Sequence, residues 1–148
     1  MGTISSYLAA DHRHCDDLFA AAEEDAAKGA WEAAANGFAG LLDAMGRHFA
    51  MEEEVLFPAF EQATGSSAGP TQVMRSEHQQ MREVLGRMAA AVEGRDADGY
   101  SGLSETLLIL MQQHNIKEEQ ILYPMSDRAL GADREQLVQR MEAVPHGG

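Results

Sequence analysis

The chain has 148 residues, 45 % of them hydrophobic, enough to close a real core and too many for a disordered segment. Eleven basic against 24 acidic side chains leave a net charge of −13, which excludes the cationic footprint that nucleic acid or an anionic membrane surface requires. A single cysteine, Cys15, rules out an intramolecular disulfide and a cysteine-based zinc site.

The N-terminal stretch MGTISSYLAADHRH has no basic start and no apolar run, so no signal peptide is expected. No segment approaches the roughly 20 apolar residues that cross a bilayer, and a soluble protein of the reducing cytoplasm is the expectation. Ala, Glu, Met and Leu are abundant, and no stretch alternates with period 2, so helices are expected throughout. Thr3 or Ser5 can cap a first helix that runs towards Lys28, with Gly29 as its stop. A second helix runs from about Trp31 to Thr64 and closes on the loop 65–69. Pro70 suits the first turn of a third helix that lasts to about Glu93. The segment 94–99 breaks the chain, a fourth helix covers roughly Ser101 to Leu130, and Asp133 can cap a short fifth one before Pro145. Pro58 and Pro124 fall late in helices two and four, where each is expected to kink or end its helix.

Long helices joined by short loops predict an all-α, up-down-up-down four-helix bundle, with the fifth helix as a lid on one end. The whole chain, 1–148, reads as one domain made of two pseudo-repeats, about 3–64 and 69–130.

Helical periodicity selects the inward faces. Helix one offers Leu8, His12, Cys15 and Phe19. Helix two offers Leu41, Met45, His48, Glu52, Val55 and Ala59. Helix three offers Met74, His78, Met81, Leu85, Met88 and Val92. Helix four offers Leu103, Leu107, Leu110, His114, Glu118, Ile121 and Met125. Each stripe therefore carries one histidine, and two of them add a glutamate one turn later.

A shift of 66 residues superimposes these polar positions. His12 falls on His78, His48 on His114, Glu52 on Glu118, Glu53 on Glu119 and Pro58 on Pro124. Asp11 meets Glu77, Val55 meets Ile121, and Phe57 meets Tyr123. Buried carboxylates facing each other repel unless they share a proton, meet cations or bridge metal ions. No Lys or Arg lies on the inner stripes. Four imidazoles and two carboxylates in one bundle core suit two divalent first-row metals. A His and a Glu at i and i+4 leave one helix face about 6 Å apart along the axis, so both reach a single site.

The segments DHRHCDDLF, HFAMEEEVLFP, EHQQM and HNIKEEQILYP carry a pattern of His, His-x-x-x-Glu, His, His-x-x-x-Glu. This pattern resembles the hemerythrin-like (HHE cation-binding) domain over nearly the whole chain. The resemblance implies a four-helix bundle around a carboxylate-bridged, non-haem di-iron centre, with zinc or manganese as substitute metals. It assigns His12 and His48 to one iron, His78 and His114 to the other, and Glu52 and Glu118 to the bridge. Oxygen-carrying hemerythrins have a further histidine four residues after the one in helix three, where this chain has Arg82. They commonly place an Asp five residues after the helix-four His, where this chain has Glu119, so Glu119 stands as the fallback for Glu118. The missing imidazole implies an extra open position on the second iron, which argues against reversible oxygen carriage.

The functional reading that follows is a di-iron protein binding dioxygen, nitric oxide or peroxide, in sensing, scavenging or iron-repair roles. The alternatives are a peroxidase or nitric-oxide reductase at the same centre, and a metal-storage or structural bundle holding zinc or manganese. No protein partner is identifiable. Among the other residues, His14 points about 200° away from His12 and reads as surface. Cys15 and the methionines read as core filler. Glu53 and Glu54 read as solvated, with Glu53 in reach of an outer hydrogen bond. Phe57 and Tyr123 are expected to pack at the bundle end, and His146 lies in the C-terminal tail.

Overall fold

The computed structural model describes residues 2–146. Helix α1 (Ile4–Ala27) starts at Thr3, whose Oγ1 accepts from the Ser6 N–H at 3.0 Å while Ser6 Oγ accepts from the Thr3 N–H at 2.8 Å. This reciprocal cap satisfies two amides that a helix start leaves orphaned. Gly29 follows the helix at φ 73°, a left-handed conformation that glycine adopts without strain. Helix α2 (Trp31–Met51) runs into a π-helical turn, Glu52–Leu56, and continues as α3 (Phe57–Thr64) to a left-handed Gly65. Helix α4 (Pro70–Glu93) opens the second half. Helix α5 (Ala97–Lys117) begins four residues before the expected Ser101, because Asp96 accepts from the Gly99 N–H at 2.9 Å and caps it there. A second π turn, Glu118–Leu122, leads into α6 (Tyr123–Leu130). Asp133 ends a short 3₁₀ turn and makes no side-chain cap for α7 (Arg134–Glu142).

Helix α1 packs on α2 and α4 on α5, and contacts of α1 with α5 and of α2 with α4 close the four-helix ring. Two apolar clusters fill it. One includes Phe19, Phe38, Leu85 and Tyr100; the other includes Leu8, Leu56, Phe60 and Leu122 and is covered by Leu137 and Met141 of α7. The lid is held by Arg47, which donates to the carbonyls of Val144, at 3.0 Å, and Glu142, at 3.1 Å.

Pro58 and Pro124, each expected to kink or end its helix, do not end it: helix continues past both, as α3 and α6. Each lacks an N–H, and its ring would collide with the carbonyl four residues earlier in an α-ladder. A wide i+5 turn just upstream relieves that conflict: Phe57 N–H bonds to the Glu52 carbonyl, and Tyr123 N–H to that of Glu118. The extra residue in the turn advances the inward face by one position. Ile121, expected inside, is 55 % exposed, and Leu122, at 1 %, and Tyr123, at 0 %, are buried instead. Ala59, Val92, Leu103, Leu110 and Met125 of the expected stripes are half-buried.

This register carries a stability test. Leu122→Ala is expected to cost about 2–5 kcal/mol in urea unfolding. Ile121→Ala should stay within about 0.5 kcal/mol of the wild type, whereas an uninterrupted α-helix would reverse the two results.

Candidate metal centre

A polar layer separates the two apolar clusters. α1 supplies His12, α2 His48, α4 His78 and α5 His114; the two π turns supply Glu52 and Glu118 at their first positions. All six are buried, with Glu52, His78 and Glu118 at 0 % exposure. His12, His48, Glu52 and Glu118 offer donor atoms all within 4.8 Å of one another, and so do Glu52, His78, His114 and Glu118. The two carboxylates are thus common to both groups, with one histidine pair on either side.

Every imidazole is oriented alike. On the outer side, Nδ1 faces a carboxylate: His12 to Glu119 at 2.7 Å, His48 to Asp11 at 2.7 Å, His78 to Glu53 at 2.6 Å and His114 to Glu77 at 2.8 Å. On the inner side, Nε2 faces the shared carboxylates: His12 and His114 lie 3.0 and 3.1 Å from Glu118, and His78 and His48 lie 2.9 and 3.5 Å from Glu52. An outer acceptor for Nδ1–H holds the tautomer that leaves the Nε2 lone pair for a cation. The outer pairs obey the 66-residue repeat as well, since His12–Glu119 maps onto His78–Glu53 and His48–Asp11 onto His114–Glu77.

The outer carboxylates therefore have a structural task that the sequence reading largely missed. Glu53, read as solvated, also accepts from both terminal nitrogens of Arg82 at 2.9 and 3.0 Å. Glu77 is paired with Lys117. Glu119, the fallback for the inward carboxylate, is placed outside with its side chain 42 % exposed, and Glu118 takes the inner place. The signal was present in the repeat, because Asp11/Glu77 and Glu53/Glu119 recur beside the histidines; their partners on neighbouring helices were not visible.

Tyr123 departs further from expectation. Its hydroxyl reaches the centre, 2.6 Å from Glu52 Oε2, 2.9 Å from Glu118 Oε1 and 3.1 Å from His12 Nε2. The π turn brings it there. Its repeat mate, Phe57, turns an unreactive ring towards His78 with centroids 5.6 Å apart. His14 and Glu54 are exposed, and His146 is exposed with Nδ1 3.3 Å from Asp43.

The electrostatics follow from burial against charge. Desolvation would lower the His48 pKa, but the charges of Glu52 and Glu118 and the bond to Asp11 carry it well above the ordinary imidazole value. His114 is likewise lifted to about 9, burial being outweighed by Glu118, Glu52 and Glu77. Burial pushes the Tyr123 phenol well above its usual range, reinforced by Glu52 and Glu118. Burial, helped by Asp11 and Asp16, raises the Cys15 thiol to about 12, so it stays protonated and serves as apolar lining.

The donor set fits a cation. It consists of imidazole nitrogens and carboxylate oxygens, the ligands that suit iron, zinc and manganese. Two inward atoms, His114 Nε2 and Glu118 Oε2, are buried and have no partner in hydrogen-bond geometry among the described residues, although His114 Nε2 lies 3.1 Å from Glu118 Oε1. Buried polar atoms are almost always paired, so two unsatisfied ones within one His/Glu cluster suit a site that takes a further group. Beside it lies a cavity of about 10 Å³, lined by His12, His48 and His114 together with Cys15, Met45, Met81 and Met111. A groove of about 680 Å³, lined by α2, α4 and the C-terminal tail, contains none of these four histidines.

Fold and donor set together define a helical bundle able to hold cations. The family described as the hemerythrin HHE cation binding domain matches residues 3–126, and the chain belongs to that family. No curated protein and no solved structure gives a significant match. No helix among the described residues is long and apolar enough to cross a membrane.

The raised histidines set a pH window for protein stripped of metal with a chelator. A raised folded-state pKa adds stability that is complete below the ordinary value of 6.5 and is lost as pH climbs through about 9. Glu53, depressed to about 2 against burial by His78 and Arg82, adds stability present above 4.5 and lost as pH falls towards 2. The urea midpoint of stripped protein is therefore expected to peak between these limits and to fall from pH 6.5 to 9. A flat profile over that interval would contradict the charge balance described.

Proposed function

We propose that this protein binds two iron ions between its four histidines and uses the centre to bind dioxygen, nitric oxide or peroxide in the cytoplasm. The observation that supports this most strongly is the pair of fully buried carboxylates, Glu52 and Glu118, shared between two histidine pairs. Their mutual repulsion in a low-dielectric core is relieved by cations placed between them. His12 and His48 would hold one ion, His78 and His114 the other, and Glu52 and Glu118 would bridge. Once bound, such ions supply an open coordination position and redox equivalents for a small ligand.

The chain's own groups shape what that ligand meets. The cavity beside the histidines offers thioethers, a protonated thiol and the Phe49 ring, surroundings that favour a small and weakly polar molecule. Tyr123 keeps its proton, and its single O–H, shared as a hydrogen-bond donor between Glu52 and Glu118, orients them. Replacement of the oxygen carrier's extra histidine by Arg82 removes one imidazole from the His78 half. That substitution supports sensing, scavenging or iron-repair chemistry over reversible oxygen transport. Turnover of peroxide or nitric oxide would identify an enzyme, and tight zinc or manganese binding without ligand chemistry a storage or structural bundle.

Anaerobic titration with ferrous iron is expected to reach two ions per chain. Exposure to nitric oxide or peroxide should then produce new absorption bands. His48→Ala and Glu118→Ala should each lose at least one ion. Glu119→Gln should keep both, with affinity reduced by about 10- to 100-fold as for an outer partner. Tyr123→Phe should retain the stoichiometry and shift the ligand bands. Two ions bound by Glu118→Ala and fewer by Glu119→Gln would reverse the assignment.

A further inference from the structure

The two halves of the centre follow one repeat, and three departures from it beside the histidines alter charge or donor capacity in the same direction. The repeat mate of Arg82 is Asp16, that of Lys117 is Met51, and that of Phe57 is Tyr123. Behind His78 and His114, the carboxylates of Glu53 and Glu77 are neutralised by Arg82 and Lys117. Behind His12 and His48, Glu119 and Asp11 form no ion pair with any Lys or Arg among the described residues. Arg47, whose charge also acts on Asp11, spends its donors on the carbonyls of Met141, Glu142 and Val144.

An outer carboxylate makes its imidazole a stronger donor by accepting the Nδ1 proton, and it adds negative charge behind the metal. A cation gripping that carboxylate withdraws both effects. A second, independent asymmetry has the same sense. The Tyr123 hydroxyl stands 3.1 Å from His12 Nε2 and 3.4 Å from His48 Nε2, an additional oxygen on that half. On the other half His78 is stacked against Phe49 and Phe57, at 4.2 and 5.6 Å between centroids, and meets no comparable hydroxyl.

We propose that the two cation positions are unequal, the His12/His48 position filling first and holding its ion more tightly than the His78/His114 position. This rests on the reading that the cluster holds two cations. The bundle then keeps one ion as a permanent member while the second exchanges, and Arg82 and Lys117 set how readily it leaves.

Cobalt(II) serves as the probe, titrated into the stripped full-length protein against a competing chelator. Two steps are expected, separated by about tenfold or more in affinity. Lys117→Met and Arg82→Gln should each tighten the weaker step several-fold without moving the stronger one, and Asp11→Asn should weaken the stronger one. A merely structural role for the two cations would shift thermal stability but leave the gap between the steps unchanged. Wild-type protein gives a check that needs no variant. At one equivalent, the paramagnetically shifted Nδ1–H resonances should belong to His12 and His48. Two equal steps, or His78 and His114 shifting first, would overturn the inequality while leaving a two-cation centre intact. Absence of stoichiometric binding would remove that centre and the inequality with it.

Discussion

Two carboxylates at the middle of the bundle, with no exposure to water, are the constraint on which the remaining architecture depends. An isolated buried carboxylate costs several kcal/mol, and two side by side cost more. The structure answers with concentric shells. Four imidazoles surround Glu52 and Glu118, four carboxylates fix those imidazoles from outside, and Arg82 and Lys117 hold two of the outer four. Apolar clusters above and below keep water away and make each of these contacts stronger than it would be at the surface. The net charge of −13 belongs partly to this arrangement, since the outer shell adds acidic groups at the same place as the inner one.

The prolines connect backbone to chemistry. A proline six residues after each inner glutamate forbids a continuous α-ladder, and the π turn that results begins at that glutamate. Widening the turn re-aims everything downstream by one position. In the second half this delivers the Tyr123 hydroxyl to Glu52 and Glu118; in the first half the same manoeuvre delivers the Phe57 ring. One backbone device, used twice, thus builds a nearly symmetric scaffold, and the Phe57/Tyr123 difference is one of those that make its two sides chemically distinct.

The inner layer was legible because a polar residue on an apolar stripe is conspicuous at helical spacing. His12, His48, Glu52, His78, His114 and Glu118 all emerged from periodicity, and the offset of 66 tied them together. Asp11, Glu53, Glu77 and Glu119 were harder to place because they lie at stripe edges, where a helical wheel shows direction but not what a neighbouring helix presents. Tyr123 was missed for another reason. The inward stripe of helix four follows 3.6 residues per turn only as far as the π turn, where that period fails by one residue. Recurrence of proline at equivalent places in both halves was the available clue, since a proline inside a helix must be accommodated by some change in the ladder. The start of α5 was misjudged more simply: Asp96 caps the helix inside a segment whose glycines suggested a longer break.

The central claim is that cations lie between the two carboxylates, with one histidine pair on each side. Crystals of the protein loaded anaerobically with ferrous iron, measured by anomalous diffraction at the iron edge, test it most directly. The account predicts two peaks, one bounded by Nε2 of His12 and His48 and the other by Nε2 of His78 and His114, with Glu52 and Glu118 between them. Peaks on the outer carboxylates, at Glu119 or Asp11, or no peak within the polar layer, would contradict it.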